Sequence, residues 1–285
     1  MVIAACLMFD TKYSTIGWMC ASSIRQHCPY TQIYVMCLDE NVHDESRYFA
    51  EKLGNLTALR LYELEAASPM LIKARQDRLW PEYVQTVKVF IPRYIFERYN
   101  AEALFYCDAD SLFWTGPQLV ADVLGEHSFM AVSHEIEPRP PQGTFNGGFF
   151  ACREDDKARS LLTWWEDRVV EWCYWRPDDG RFADQGYLNI IEDDPHRFRG
   201  AGVCTHPGIN LAHWNMRKHK VEKIGDGVFV DGEPLITFHY QDVNKQDGTH
   251  PQHGGVFDHI YDVYVERYRS FCQEVIDGLD RRRRW

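Results

Sequence analysis

The chain predicts an α/β fold with a mainly parallel central sheet flanked by helices, Rossmann-like in its first half. Three observations predict it. Apolar runs of strand length recur at residues 2–9, 33–37, 58–62 and 103–107. Stretches of helical spacing lie between them, near 15–27, 42–53 and 84–98, the β/α alternation of an open parallel sheet. At 285 residues, with 45% apolar and 14% aromatic side chains, the chain can bury one large core, so a single domain with a decorated C-terminal third is expected.

The opening run ends in Asp10 and lacks a basic leader, so it reads as a first strand rather than a signal peptide. The turn after it, Phe9-Asp10-Thr11-Lys12-Tyr13-Ser14, has no G-x-G-x-x-G, which argues against a dinucleotide enzyme. Residues 121–133 read as a short helix and a strand at 129–132. The proline-rich stretch 137–143 reads as a surface loop over a site. A second apolar strand at 144–152 is entered through Gly147 and Gly148. In the helix expected at 155–175, Leu161, Trp165, Val169 and Trp172 fall on one face and are core candidates. A shorter helix is expected at 182–191. Hairpin-like strands at 221–239 are broken at Gly225-Asp226-Gly227 and Asp231-Gly232, and a last helix spans about 256–280. Hairpin and helix form a small C-terminal elaboration.

A net charge of −11, from 31 basic and 42 acidic residues, argues against general affinity for nucleic acid polymers. Nine cysteines, mostly among apolar neighbours and without a C-x-x-C pair, read as reduced thiols. No run approaches the roughly 18 apolar residues of a membrane span. A soluble, cytoplasmic protein is expected. The terminal Arg281, Arg282, Arg283 and Arg284 beside Trp285 leave room for peripheral contact with the inner face of a membrane, at about 1 kcal/mol per arginine.

The chemistry concentrates where the run Leu104-Phe105-Tyr106-Cys107 ends in Asp108-Ala109-Asp110. A carboxylate at the end of an apolar strand is costly unless paired, and a hard divalent cation with oxygen ligands relieves that cost. His239, after the apolar stretch 234–238, can add a nitrogen ligand, which suits manganese better than calcium. Lys245, six residues on, can meet a diphosphate as a point charge. Asp184 and Gln185 open the segment 184–189, where the aspartate has a simpler reading as a helix cap.

Asp108-Ala109-Asp110, then Phe145-Asn146-Gly147-Gly148, then Asp184-Gln185 with Asn189, then His239 with Lys245 resemble, in order, the motifs of nucleotide-sugar glycosyltransferases of the GT-A fold, especially the glycogenin-like family. The resemblance covers roughly residues 1–250. It implies a hexosyltransferase-like enzyme that uses a nucleotide-diphospho-sugar, by default a UDP-sugar, with Mn2+ or Mg2+. It implies a nucleotide-binding half at 1–133, a donor-sugar and acceptor half at 134–250, and a C-terminal helix with a basic tail at 251–285. Asp108, Asp110 and His239 would hold the ion. Asp10 and Tyr13 would sit beside base and ribose, with Ala109 between the metal acids. Lys88 would touch the donor, Asn146 and Gly147 would line the sugar, Asp184 and Gln185 would face the reacting centre, and Lys245 would hold the leaving phosphate. Retention is the family's usual outcome, whereas inversion would need a base such as Asp184.

The chain departs from the family at Asp242, where glycine is usual, and at Lys245-Gln246-Asp247, where Lys-Pro-Trp is usual, so closure of the phosphate loop is not specified by likeness. The segment 207–215 is closer to bacterial glycosyltransferases, and the acceptor, whether carbohydrate, glycolipid or protein, is left open. Two other classes compete. A haloacid-dehalogenase-type phosphohydrolase also uses D-x-D, but there the pair closes an early strand and His239 has no role. A non-catalytic sugar- or nucleotide-binding module would use aromatics such as Trp164, Trp165, Trp172, Trp175 and Trp214 for stacking.

Overall fold

The computed structural model describes residues 2–245 and 247–282. Four parallel strands lie side by side: β3 (Leu56–Arg60), β2 (Ile33–Cys37), β1 (Ala4–Phe9) and β4 (Ala103–Cys107). Strand β7 (Phe145–Arg153) runs antiparallel between β4 and β6 (Phe129–Ser133), and β8 (Ala201–Val203) closes the sheet parallel to β6. The order is β3-β2-β1-β4-β7-β6-β8. Every residue of β1, β2 and β4 is buried, as expected of unbroken apolar runs covered on both faces.

Two apolar layers cover the sheet. On one face lie α1 (Ser14–His27), α2 (Glu40–Leu53), α6 (Gln118–Leu124) and α9 (Val256–Arg282), contributing Trp18, Phe49, Val120 and Tyr261. On the other lie α3 (Leu61–Ala67), α4 (Met70–Gln76), α5 (Trp80–Arg98) and α7 (Asp156–Glu171), contributing Leu64, Leu71, Phe90 and Trp165. Caps set the helix starts. Asp39 accepts from Val42 N (3.0 Å) before α2, Asp155 from Ala158 N (2.8 Å) before α7, and Glu82 from Leu79 N (3.0 Å) at α5. No described helix is long and apolar enough to cross a membrane.

The expected elements are present with four corrections. Strand β3 ends at Arg60, because Leu61 and Leu64 are buried at helical spacing and start α3; this helix and α4 were not anticipated. Helix α7 stops at Glu171, not near 175. Trp172 takes an extended backbone, and Trp175 N donates to Glu82 Oε1 (3.1 Å), turning the chain away. Trp165 and Trp172 are buried, but Trp175 is 56% exposed. The segment expected as one helix at 182–191 is a 3-10 turn, Gln185–Asn189, followed by α8 (Ile190–Asp193).

The fourth correction concerns residues 221–239. Strands β10 (Val221–Ile224), β11 (Gly227–Val230) and β12 (Glu233–Pro234) form the expected hairpin sheet. The last strand, β13 (Thr237–His239), leaves it. It pairs antiparallel with β5 (Ser111–Phe113) and parallel with β9 (Leu211–Ala212), two short strands without a clear sequence signal. Arg281 and Arg282 close α9, while Arg283, Arg284 and Trp285 lie outside the described residues.

Candidate active site

The β5–β13 ladder builds the site. It sets His239 opposite Ser111, and Tyr240 N donates to Asp110 O (2.8 Å), so the end of β13 is clamped to the turn that follows β4. That turn is itself fixed, since Asp108 N donates to Gly148 O (2.8 Å) and Ser111 N to Asp108 O (3.1 Å). Asp108, Asp110 and His239 thereby converge, with one ligand atom from each lying within 4.8 Å of the others. They sit at the floor of a cleft of about 780 Å³, beyond the carboxyl ends of β1 and β4, the usual ligand position in open α/β sheets.

Each acid is held by a defined donor. Tyr106 OH donates to Asp108 Oδ1 (2.8 Å). Asp110 faces His239 Nε2 and Lys245 Nζ, each at 3.0 Å. Burial alone would raise the Asp110 pKa, but His239 and Lys245 outweigh it and hold the carboxyl well below the usual carboxylate range. Burial likewise works against protonated His239, yet Asp110 raises that imidazole's pKa. Two oxygen ligands and one imidazole nitrogen, on acids that gather cationic partners, are a donor set that fits Mn2+ or Mg2+.

Behind His239 runs a line of side-chain hydrogen bonds with one consistent proton assignment. His239 Nδ1 donates to Asn210 Oδ1 (3.2 Å), Asn210 Nδ2 to Asn146 Oδ1 (3.2 Å), and Asn146 Nδ2 to His134 Nε2 (3.1 Å). His134 Nδ1 ends the line on Thr144 O (3.2 Å), and burial pushes this imidazole down to about 4, so it is neutral near pH 7. Fixing Nδ1 as a donor turns Nε2 of His239 toward the acids. Gly148 belongs to the same arrangement. A Cβ there would lie 2.7 Å from His239 Cε1 and 2.8 Å from Asp108 Oδ2, so only glycine lets β7 pass this close.

The remaining candidates line the same cleft, except Gly147 and Lys245, which sit next to its lining rather than in it. Lys88 is buried, 3.0 Å from Asp184 Oδ2, 3.9 Å from Asp108 Oδ1 and donating to Gly147 O (3.0 Å). Burial works against its charge, but Asp108 and Asp184 more than compensate and raise its pKa. Asp184 does not cap the 3-10 turn with its side chain. It forms a close ion pair with Lys88 that is poorly aligned as a hydrogen bond, and burial pushes its pKa up despite that partner. Gln185 bridges Gly147 N (3.2 Å) and Gln142 O (3.1 Å). Asp10 accepts from Lys12 N (3.0 Å) and Trp80 Nε1 (2.9 Å), and Tyr13, 40% exposed, lines the cleft with Ala109. Lys245 lies on Asp110 and also donates to the carbonyls of Tyr240 and Gln241.

Sequence reasoning missed His134, Gly148 and the structural use of Asn210. Gly148 stood inside the quoted N-G-G and Asn210 inside the segment 207–215, whereas nothing local marks His134. The unusual Asp242 accepts from Tyr261 OH (2.7 Å) on α9 and lies 3.0 Å from His253 Nε2, tying the loop after β13 to the last helix.

No protein-family model matches the chain. It is 29% identical over 231 residues to YfnF and 27% identical over 226 residues to YfnD, both uncharacterised proteins of Bacillus subtilis (strain 168). Each alignment covers 76% of this chain, with 74% and 70% of the relative. Among solved structures, the galactosyltransferase LgtC, in complex with donor and acceptor sugar analogues, superposes with a TM-score of 0.60 at 17% identity, covering 94% of this chain and 96% of LgtC. The glycosyltransferase GlyE of Streptococcus pneumoniae TIGR4 gives 0.59 at 15% identity, covering 97% of this chain and 64% of GlyE. Mouse xyloside xylosyltransferase 1 gives 0.53 at 12% identity, covering 85% and 98%. The seven-stranded order with its single reversed strand, and the likeness of nearly the whole chain to these enzymes, show that the protein has the GT-A glycosyltransferase fold.

Proposed function

We propose that the protein transfers a sugar from a nucleotide-diphospho-sugar, with UDP-sugars favoured, to an acceptor with retention at the anomeric carbon. The observation that carries this reading is the convergence of Asp108, Asp110 and His239 on one point of the cleft floor. LgtC is described with donor and acceptor sugar analogues, which fits the same use of the cleft here. A Mn2+ or Mg2+ ion held by these three side chains would supply Lewis-acid charge to the departing diphosphate.

The chain's own residues do the rest. Lys245, paired with Asp110 beside the cleft, adds a second positive group near the leaving phosphate, and preorganised contacts of this kind are worth about 2–4 kcal/mol each. Asp10 and Tyr13 flank base and ribose. Asn146 and Gly147 line the sugar, and Asp184 accepts from its hydroxyls while Lys88 keeps the aspartate in place. Among the described residues, every carboxylate lining the cleft already faces a donor or cation: Asp10, Asp108, Asp110 and Asp184. None is an uncommitted base for inversion, which favours retention with the leaving phosphate accepting the acceptor's proton. Nine free cysteines suit a reducing, cytoplasmic compartment.

A thermal-shift screen of nucleotide-sugars with Mn2+ and with chelator tests this. The true donor raises the melting temperature only with the metal. Equal shifts in chelator, or no shift with any nucleotide-sugar, would contradict it.

A further inference from the structure

A second groove, of about 600 Å³, lies back to back with the cleft. The two share a thin wall. Gln142 and Gln185 line the cleft and are bonded to each other (3.1 Å), while their neighbours Pro141, Gly143 and Gly186 line the groove. The cleft and the groove are thus separated by little more than this pair of residues.

We propose that the groove binds a neutral oligosaccharide, the part of the acceptor remote from the reacting hydroxyl. Its role in the reaction rests on the transferase reading; the binding does not. Three features select this ligand class. Trp164 and Tyr187 line the groove edge to face, with centroids 6.2 Å apart at 88°, an aromatic wall against which sugar C–H groups pack. Arg197 lies over the Trp164 ring and Phe198 packs against it, each at 5.2 Å, covering part of the indole and fixing the part that lines the groove.

The polar lining has an acidic excess, with Asp178, Asp179 and Asp193 set against Arg139. Asp193 pairs with Arg139 (2.8 Å), which Glu192 shares (3.2 Å), and Asp178 pairs with Arg181 (2.8 Å) beside the groove, so carboxylate oxygens and a guanidinium are offered to hydroxyls while the acidic excess disfavours anions. An acidic lining selects hydroxyls over phosphates or sulfates. Finally, Pro140, Pro141 and Pro177 give the groove stiff walls, and its volume falls in the range of about 300–1,000 Å³ typical of preformed small-ligand sites, room for more than a single sugar ring.

The test is saturation-transfer NMR and calorimetry on the full chain with maltotriose, cellotriose, chitotriose and lacto-N-tetraose as neutral probes and a heparin tetrasaccharide as the anionic control. At least one neutral probe should bind. Trp164→Ala should weaken it about tenfold or more. Asp193→Lys, an exposed change that places a long side chain at the groove, should do the same and keeps the test valid if the tryptophan variant fails to fold. Asp108→Ala should leave this binding unchanged. Failure of every neutral probe, preference for the anionic control, or binding indifferent to both groove substitutions would overturn the proposal. Glycan binding without sugar transfer would contradict the proposed function and leave the groove standing.

Discussion

His239 Nε2 lies 3.0 Å from Asp110 Oδ1, and this contact exists because a three-residue strand after the D-x-D turn pairs with another that ends at the histidine. The metal-binding geometry is thus a property of the β5–β13 ladder as much as of the three ligands. Each element that holds the ladder and its imidazole has a measurable consequence.

Replacing Asp108 or Asp110 by alanine should lower the rate of sugar transfer by about 10²–10³ or more, the range seen for removal of one preorganised electrostatic group. Circular dichroism should remain native, because both acids lie in a turn outside the sheet. Full turnover in either variant would contradict their assignment.

Asn210→Ala removes the acceptor for His239 Nδ1 and frees the ring to rotate. Loss of such a supporting partner typically costs 10–100-fold in metal affinity. Calorimetric titration with Mn2+ should show that loss, beside a stability cost of about 1–3 kcal/mol in the metal-free protein from the buried groups left without partners.

Gly148→Ala should behave differently from a surface glycine change. The added methyl sits within 2.8 Å of Asn146 Oδ1, His239 Cε1 and Asp108 Oδ2, so two ligands and their support must move. Metal binding should be lost although the sheet still forms. An alanine variant with wild-type Mn2+ affinity would show that the close approach is unimportant.

Lys88→Met leaves Asp184 without its cation in a buried site and deprives Asp108 of a nearby positive charge. Breaking a buried pair in this way costs about 3–5 kcal/mol. Urea denaturation should show it, and transfer should be lost as well, because Asp184 is no longer held.

His134 gives a pH dependence whose sign follows from its depressed pKa. The unfolded imidazole titrates near 6.5, while burial holds the folded one near 4. The stability it contributes is complete above about 6.5 and is lost as pH falls from there through 4, because the unfolded state binds the proton first. Over that window the loss is a few kcal/mol at most. The pH profile of His134→Gln, measured by urea denaturation, should be flatter between 4 and 6.5 than that of the wild type.

The parts of the fold legible in the sequence were those that need no tertiary partner to be recognised. Strands β2 and β4 have the expected bounds because each is an unbroken apolar run between polar residues. The D-x-D acids were conspicuous for the same reason, since the run beside them stops so sharply. What was hidden depends on distant partners. Strands β5, β9 and β13 are two or three residues long and exist only through one another. The end of α7 is set by Glu82, an acid on another helix that captures Trp175 N. The line from His239 through Asn210 and Asn146 to His134 joins four separate segments by side-chain hydrogen bonds, which leave no periodic trace in a sequence.

The central claim is that two acids after β4 and the imidazole at the end of β13 hold one divalent ion against a nucleoside diphosphate. Electron paramagnetic resonance of Mn2+ titrated into the protein with UDP present tests it most directly. The wild type should immobilise one Mn2+ per chain, and the Asp108→Ala/Asp110→Ala and His239→Ala variants should leave it free. Equal immobilisation in all three proteins, or none in the wild type, would contradict the account.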